Sequence, residues 1–219
     1  FDSEPDSEID QGDECPGPAT MYEIRDIPVY DGDGASRPFF SLYDPLFTSH
    51  KRQLIIFVRH FYCGSCQKYL QALTEYVKMQ NLLSTPMPTN VTVIGCGHPE
   101  IIRHYRSFTQ CPFTMYTDPS RKLFRMLGMR WTLHVGRGQP DYMKDISVLE
   151  LLDEQRKLIA ASLRDPEGMR KRDILRGGNP LQIGGEFLFE DGEVVWCHRM
   201  KHIRNHSEVR RLRHMLQSG

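Results

Sequence analysis

Two cysteines two residues apart, Cys63-Gly64-Ser65-Cys66, offer the clearest chemistry in this chain. They follow a short apolar run, Gln53 to Arg59 (QLIIFVR), which suits a buried strand. They open a stretch, 64–83, in which Tyr69, Leu70, Leu73, Val77 and Met79 recur at near-helical spacing. The pair is therefore expected at a strand-to-helix junction. There the first helical turn leaves N–H groups unpaired, and the helix dipole adds about half a positive charge. Both favour the thiolate, which is the nucleophilic form. A second sulfur one turn further on can resolve a mixed disulfide or a sulfenic acid. Arg59 and His60 stand just before the motif, and either lowers a thiol pKa if it points inward. The cap position makes Cys63 the expected attacking thiolate and Cys66, deeper in the helix, the resolving thiol.

Other readings compete. A lone CxxC is also half of a zinc site, and Cys96-Gly97-His98 or Cys197-His198 offers the other half. Irregular spacing and placement on different strands count against it, and no metal is expected. A purely structural CxxC is the second bland reading. Cys96 and Cys197 end apolar runs and read as core residues. Cys111, before Pro112, reads as a loop cysteine, and Cys15 as incidental. Among His98, His104, His198, His202 and His206, the best acid–base candidate is His198, which follows the last core strand.

Elements must hold the dithiol in place. An edge strand is expected over 21–28, buried strands over 53–59, 90–95 and 113–117, and helices over 64–83, 99–110 and from 118 to 128. Residues 129–180 carry loop chemistry around one amphipathic stretch, 145–164. They read as an insertion laid on the core through Ile146, Leu149, Leu152 and Ile159. A hairpin around Asp191-Gly192 and a helix over 207–217 close the chain. The order βαβαβα, insertion, ββα implies an α/β fold of thioredoxin type. Its central mixed sheet carries helices on both faces and a helical insertion, about 130–180, before the final hairpin. Residues 20–219 form that domain; residues 1–19, acidic and poor in apolar anchors, are expected to be a disordered tail.

Composition narrows the function. Lys plus Arg and Asp plus Glu number 28 each, which argues against a nucleic-acid binder. No apolar run approaches the roughly 18 residues of a membrane span. The start, FDSEPDSEIDQGDE, lacks the basic and apolar regions of a secretory signal, so a cytoplasmic protein is expected. Six cysteines in 219 residues are too sparse for a disulfide scaffold.

Three strings carry a resemblance: FVRHFYCGSC; VTVIGCGHPEIIRHYRSFTQCPFTMYTDPSRKLFRMLGM; and GGEFLFEDGEVVWCHR with a following Asn-His. Together, over about 50–129 and 182–210, they resemble the peroxiredoxin-like-2 branch of the AhpC/TSA family, with a leaning to its fungal members. The resemblance implies a thioredoxin fold and thiol-dependent reduction of a peroxide, an endoperoxide or a related oxidised small molecule, reset by an external thiol of glutathione or thioredoxin type. It implies no cofactor. Two departures stand out. The peroxiredoxin pattern PxxxTxxC would put Cys66 at the peroxidatic position and Cys63 at the Thr, with the Pro missing. The cis-Pro that faces the dithiol in thioredoxins falls on Gly184. A natural-product tailoring enzyme, a redox-inert binding module of the same fold and a metal-binding thiol protein are the alternatives; the oligomeric state is open.

Overall fold

The computed structural model describes residues 13–77, 82, 85–134, 136, 139–164 and 176–217. A seven-stranded mixed sheet has the order β2-β1-β5-β4-β3-β6-β7. The strands are β1 (Pro28–Tyr30), β2 (Ser36–Pro38), β3 (Arg52–Phe57), β4 (Thr89–Gly95), β5 (Thr114–Thr117), β6 (Gly185–Glu190) and β7 (Glu193–Arg199). The helices are α1 (Pro18–Ile24), α2 (Gly64–Tyr76), α3 (Ile101–Thr109), α4 (Lys122–Met126), α5 (Val148–Arg164) and α6 (Val209–Gln217), with 3₁₀ turns at Phe39–Leu42 and Asp141–Met143.

β3 is central, parallel to β4 and antiparallel to β6, and all six of its residues are buried. Its side chains alternate between two cores, as a strand's must. Leu54 and Ile56 meet Tyr69, Leu70, Tyr105, Leu158 and Leu212 on one face; Ile55 and Phe57 meet Ile24, Phe39, Phe124 and Phe187 on the other. A strand buried on both faces needs a continuous apolar run, which is why QLIIFV lacks the polar alternation of a half-exposed strand. No helix among the described residues is long and apolar enough to cross a membrane.

Three local expectations change. The stretch 21–28 is not an edge strand: Pro18–Ile24 is helical, with Pro at its first position, and only Pro28–Tyr30 is extended. Of the expected tail, Pro18 and Ala19 belong to a helix and Asp13 and Glu14 are hydrogen-bonded to β7. The Asp13 carboxylate lies 3.0 Å from His198 Nδ1 and accepts from the Arg199 N–H at 2.9 Å. Residues 1–12 of that tail lie outside the described residues. Finally, 148–164 is helical, but its inward face differs. Leu149 and Leu152 are 77% and 55% exposed, whereas Leu158 is fully buried, with Ile159 packed beside it.

The corrected face carries a stability expectation. Leu158→Ala should lower the unfolding free energy by about 2–4 kcal/mol. Leu152→Ala should change it by no more than about 0.5 kcal/mol. Chemical denaturation of the two variants checks this; equal effects would mean α5 packs by its other side.

Candidate functional site

β3 ends at Phe57, and His60, Phe61 and Tyr62 turn the chain so that Cys63 becomes the N-cap of α2. Both sulfurs are enclosed: Cys63 is 5% exposed and Cys66 not at all. All six cysteines are free thiols. The insertion supplies part of the enclosure. A Cβ at Gly64 would lie 2.5 Å from the Leu151 carbonyl oxygen on α5, so the first of the two residues between the cysteines must be glycine for α5 to lie there. The Ser65 hydroxyl faces Met143 Sδ at 3.6 Å.

Arg59 connects the parts. Its backbone N–H points at Cys66 Sγ, 3.4 Å away, and its Nη1 donates to Cys63 Sγ at 2.9 Å. Its Nε donates to the Gln182 carbonyl at 3.0 Å and its Nη2 to the Pro180 carbonyl at 2.6 Å, which fixes the guanidinium plane. A buried cation with no carboxylate among these partners has its charge available to the sulfur it touches.

The two thiols are driven apart. A hydrogen bond from the Cys66 thiol holds Cys63 well below the usual cysteine range. Burial opposes this, and the Arg59 charge adds to it, with smaller contributions from His60, to the extent that it is protonated, and from the Cys66 N–H. Burial forces His60 below its own usual range, so Arg59 is the cation beside Cys63 at neutral pH. Cys66 moves the other way, raised first by burial and then by donating to the Cys63 sulfur. Burial also pushes Cys96 up to about 12, Cys111 to about 11 and Cys197 to about 12. Cys96 spends its S–H on the Arg59 carbonyl at 2.9 Å.

On the far side of Cys66 stands a residue that the sequence reading ranked below its neighbour. His206 Nε2 is 3.3 Å from Cys66 Sγ, its Nδ1 is 2.6 Å from Glu186 Oε1, and both side chains are fully buried. The Ser207 hydroxyl donates to Glu186 Oε2 at 3.1 Å, and the Tyr69 ring stacks on the imidazole at 4.2 Å. His198, the favoured histidine, instead lies between Asp13 Oδ2 and the Asn205 carbonyl, 3.0 and 2.9 Å from its two nitrogens, away from the sulfurs. Gly184 packs against β3: a Cβ there would meet the Phe57 carbonyl at 1.9 Å. The described backbone has no cis peptide. Among the described residues no three His, Cys, Asp or Glu side chains are grouped to hold a metal. No pairwise motif could have singled out His206, 140 residues from Cys66. Its only local mark is the Asn205-His206 at the end of the third resembling string.

The chain is similar to known proteins in sequence and in fold. The model of a family described as AhpC/TSA antioxidant enzyme matches residues 72–202, more than half of the chain. Peroxiredoxin-like 2C of Takifugu rubripes is 32% identical over 110 residues, which cover 50% of this chain and 46% of that protein. Thus the chain spans about half of that relative's length in the matched part. Peroxiredoxin-like 2C of Bos taurus is 26% identical over 208 residues, covering 92% of this chain and 82% of the relative. Among solved structures, Xanthomonas campestris peroxiredoxin Q superposes with a TM-score of 0.53 at 9% identity, covering 94% of this chain and 95% of that one. At that identity the likeness speaks for the fold, which is thioredoxin-like.

The charge on Arg59 predicts a reactivity. Alkylation rate follows the thiolate fraction. Iodoacetamide at neutral pH should therefore modify Cys63 well ahead of Cys66. Arg59→Met should raise the Cys63 pKa and slow that modification several-fold, with the deficit closing as pH rises and both proteins ionise. Peptide mass mapping across pH checks it; a deficit independent of pH would mean Arg59 shapes access rather than charge.

Proposed function

The chain belongs to the AhpC/TSA antioxidant enzyme family, in its peroxiredoxin-like 2 branch, and we propose from that premise that its Cys63–Cys66 dithiol reduces a peroxide. The coarser chemistry, that of a thiol-dependent, peroxidase-like oxidoreductase, comes with the family. The finer reading rests above all on one observation: Arg59 Nη1 donates to Cys63 Sγ at 2.9 Å. A guanidinium so placed serves the nucleophile twice. It holds the thiolate, and it stays beside the oxygen that the thiolate attacks, where negative charge develops as the O–O bond breaks.

The Cys63 thiolate attacks one peroxide oxygen, the O–O bond breaks, and the other oxygen leaves and takes up a proton as an alcohol or water. Cys63 is now a sulfenic acid. The Cys66 sulfur then attacks Cys63 Sγ, the S–S bond forms, the S–O bond breaks, and hydroxide leaves as water once protonated. An external thiol of glutathione or thioredoxin type returns both cysteines to the reduced state. The 5% exposure of Cys63 favours a small oxidant, a peroxide or endoperoxide, over a disulfide on a folded protein. In this reading Cys63, Cys66 and Arg59 carry the chemistry, and His60, Gly184 and His198 support the fold around them. The lack of a membrane-length helix among the described residues is compatible with a cytoplasmic site of action.

One equivalent of hydrogen peroxide should convert the reduced protein to a form lighter by two hydrogens, restored by dithiothreitol. Cys66→Ser should stop at a sulfenic acid on Cys63, and Cys63→Ser should lose fast peroxide consumption. Intact-mass and stopped-flow measurements decide. Retained peroxide consumption in Cys63→Ser, with sulfenic acid on Cys66, would reverse the assignment.

A further inference from the structure

We propose that His206 is the base that removes the Cys66 proton as the disulfide closes, and that Glu186 is the positioning residue that makes it one. The proposal rests on the order of attack given above, Cys63 first and Cys66 second.

The fold brings three distant segments together for this. Glu186 lies on β6 opposite Ile56 of β3, and its alternation matches Leu188, which faces α2. Cys66 and Tyr69 come from the first turns of α2, and His206 from the segment that leads into α6. A carboxylate on the buried face of a central strand does little for stability. The desolvation of such a pair offsets its mutual attraction, and an apolar pair of the same size would serve as well or better. What the pair adds is a proton acceptor with a defined tautomer.

That tautomer follows from the contacts. His206, with His198 and the Ser207 hydroxyl, holds the Glu186 carboxyl below the usual carboxylate range against the opposing effect of burial. A carboxylate only accepts, so His206 Nδ1 carries the hydrogen in the 2.6 Å contact. In its neutral form the ring so oriented presents the Nε2 lone pair to Cys66 Sγ, 3.3 Å away. The Tyr69 ring, stacked at an interplanar angle of 3°, keeps the imidazole in that plane. The resting Cys66 thiol thus lies between two acceptors: the Cys63 sulfur, to which it donates, and His206 Nε2.

Oxidation of Cys63 removes the first acceptor. A sulfenic sulfur carries no negative charge, so the Cys66 S–H is released toward His206. The proton moves from Cys66 Sγ to His206 Nε2, and Glu186 stabilises the imidazolium. The thiolate attacks Cys63 Sγ, the S–S bond forms and the S–O bond breaks. The imidazolium returns the proton to the departing hydroxide as water, so the ring ends the step neutral. His206 touches a reacting atom and is catalytic here, while Glu186 acts through it. The ionisable groups that bear on this pair are Cys66 and Tyr69 on α2, His198 on β7 and Tyr142 in the 3₁₀ turn; Glu208, before α6, acts on Tyr142.

The test uses a disulfide reporter, 5,5′-dithiobis(2-nitrobenzoate), on the full chain in a Cys15→Ser background, since Cys15 is exposed. Thiolate release should come in two phases: attack by Cys63, then displacement of the second reporter thiolate by Cys66. In His206→Gln the second phase should slow by about 10²-fold or more, with a far smaller effect on the first. The wild-type second phase should level off as pH rises, whereas that of His206→Gln should keep rising with hydroxide. Glu186→Gln should slow the second phase less and move its pH midpoint down; it also carries the test if His206→Gln fails to fold. A folded His206→Gln whose second phase stays within about threefold of wild type at every pH falls short of general-base catalysis and overturns the proposal. An unshifted midpoint in Glu186→Gln overturns the role of Glu186. Because no peroxide is involved, failure to reduce peroxides would sink the substrate reading alone. A first mixed disulfide mapped to Cys66 would sink the order of attack and this proposal with it.

Discussion

Burying a guanidinium beside two thiols, with no carboxylate among its hydrogen-bond partners, is the constraint on which the rest of this site depends. Arg59 sits two residues past the end of β3 and touches both sulfurs, one through its main chain and one through its side chain. Its Nη2 and Nε donate to the carbonyls of Pro180 and Gln182, neutral groups that leave its charge undivided. A charge of that kind in a low-dielectric setting strongly favours the anion it faces. Only one of two adjacent thiols can be that anion, since a second would be repelled by the first. The difference between Cys63 and Cys66 therefore has two sources: the hydrogen bond from the Cys66 thiol to Cys63, inside the CxxC, and the Arg59 charge, outside it. The helix start places Cys63 at the cap, where both act on it.

The enclosing segments now have a physical purpose. The 129–180 region supplies the Leu151 backbone over Gly64, the Met143 sulfur beside Ser65 and, at its end, the Pro180 carbonyl that anchors Arg59. Excluding water there raises the worth of every charge inside, but it also penalises the second thiol, which rises with burial. A dithiol so enclosed needs an internal proton acceptor for Cys66, and the His206–Glu186 pair occupies the place where one would act.

How much of this was legible in the sequence depended on distance along the chain. Arg59, Cys63 and Cys66 fall within eight consecutive residues, and local rules for strands, helix starts and thiolates read them together. The sheet was legible for the same reason: QLIIFVR, NVTVIG and the Asp191-Gly192 hairpin carry their own signals. Glu186 was not legible. In GGEFLFE it looks like an ordinary alternating residue, and only the pairing of β6 with β3 turns it toward α2. His198 outranked His206 because it adjoins a strand, yet strand alternation and Asp13 draw it to another partner. The stripe of α5 was misread because its leucines at 149, 151, 152 and 158 allow more than one inward face, and the fold selected Leu158. The segment MYEIRDI is expected as a strand, but its apolar residues at 21, 24 and 27 recur at a spacing of three, and Pro18 in the first turn starts a helix ahead of it. The family match, for its part, begins at residue 72, downstream of both cysteines. The family model therefore speaks for the fold and the coarse chemistry downstream of the dithiol and carries no information about the two cysteines.

The central claim is that Cys63 and Cys66 ionise in widely separated steps, Cys63 first, because Arg59 and the Cys66 thiol both donate to Cys63. Titration of the reduced protein with ¹³C-labelled cysteine, following each Cβ shift by NMR, reads this directly. The account predicts the thiolate shift at Cys63 throughout the neutral range, with Cys66 remaining a thiol far into alkali. It also predicts that Cys66 titrates at lower pH once Cys63 is alkylated and no longer charged. Ionisation of Cys66 before Cys63, or titration of both as ordinary independent thiols, would contradict it.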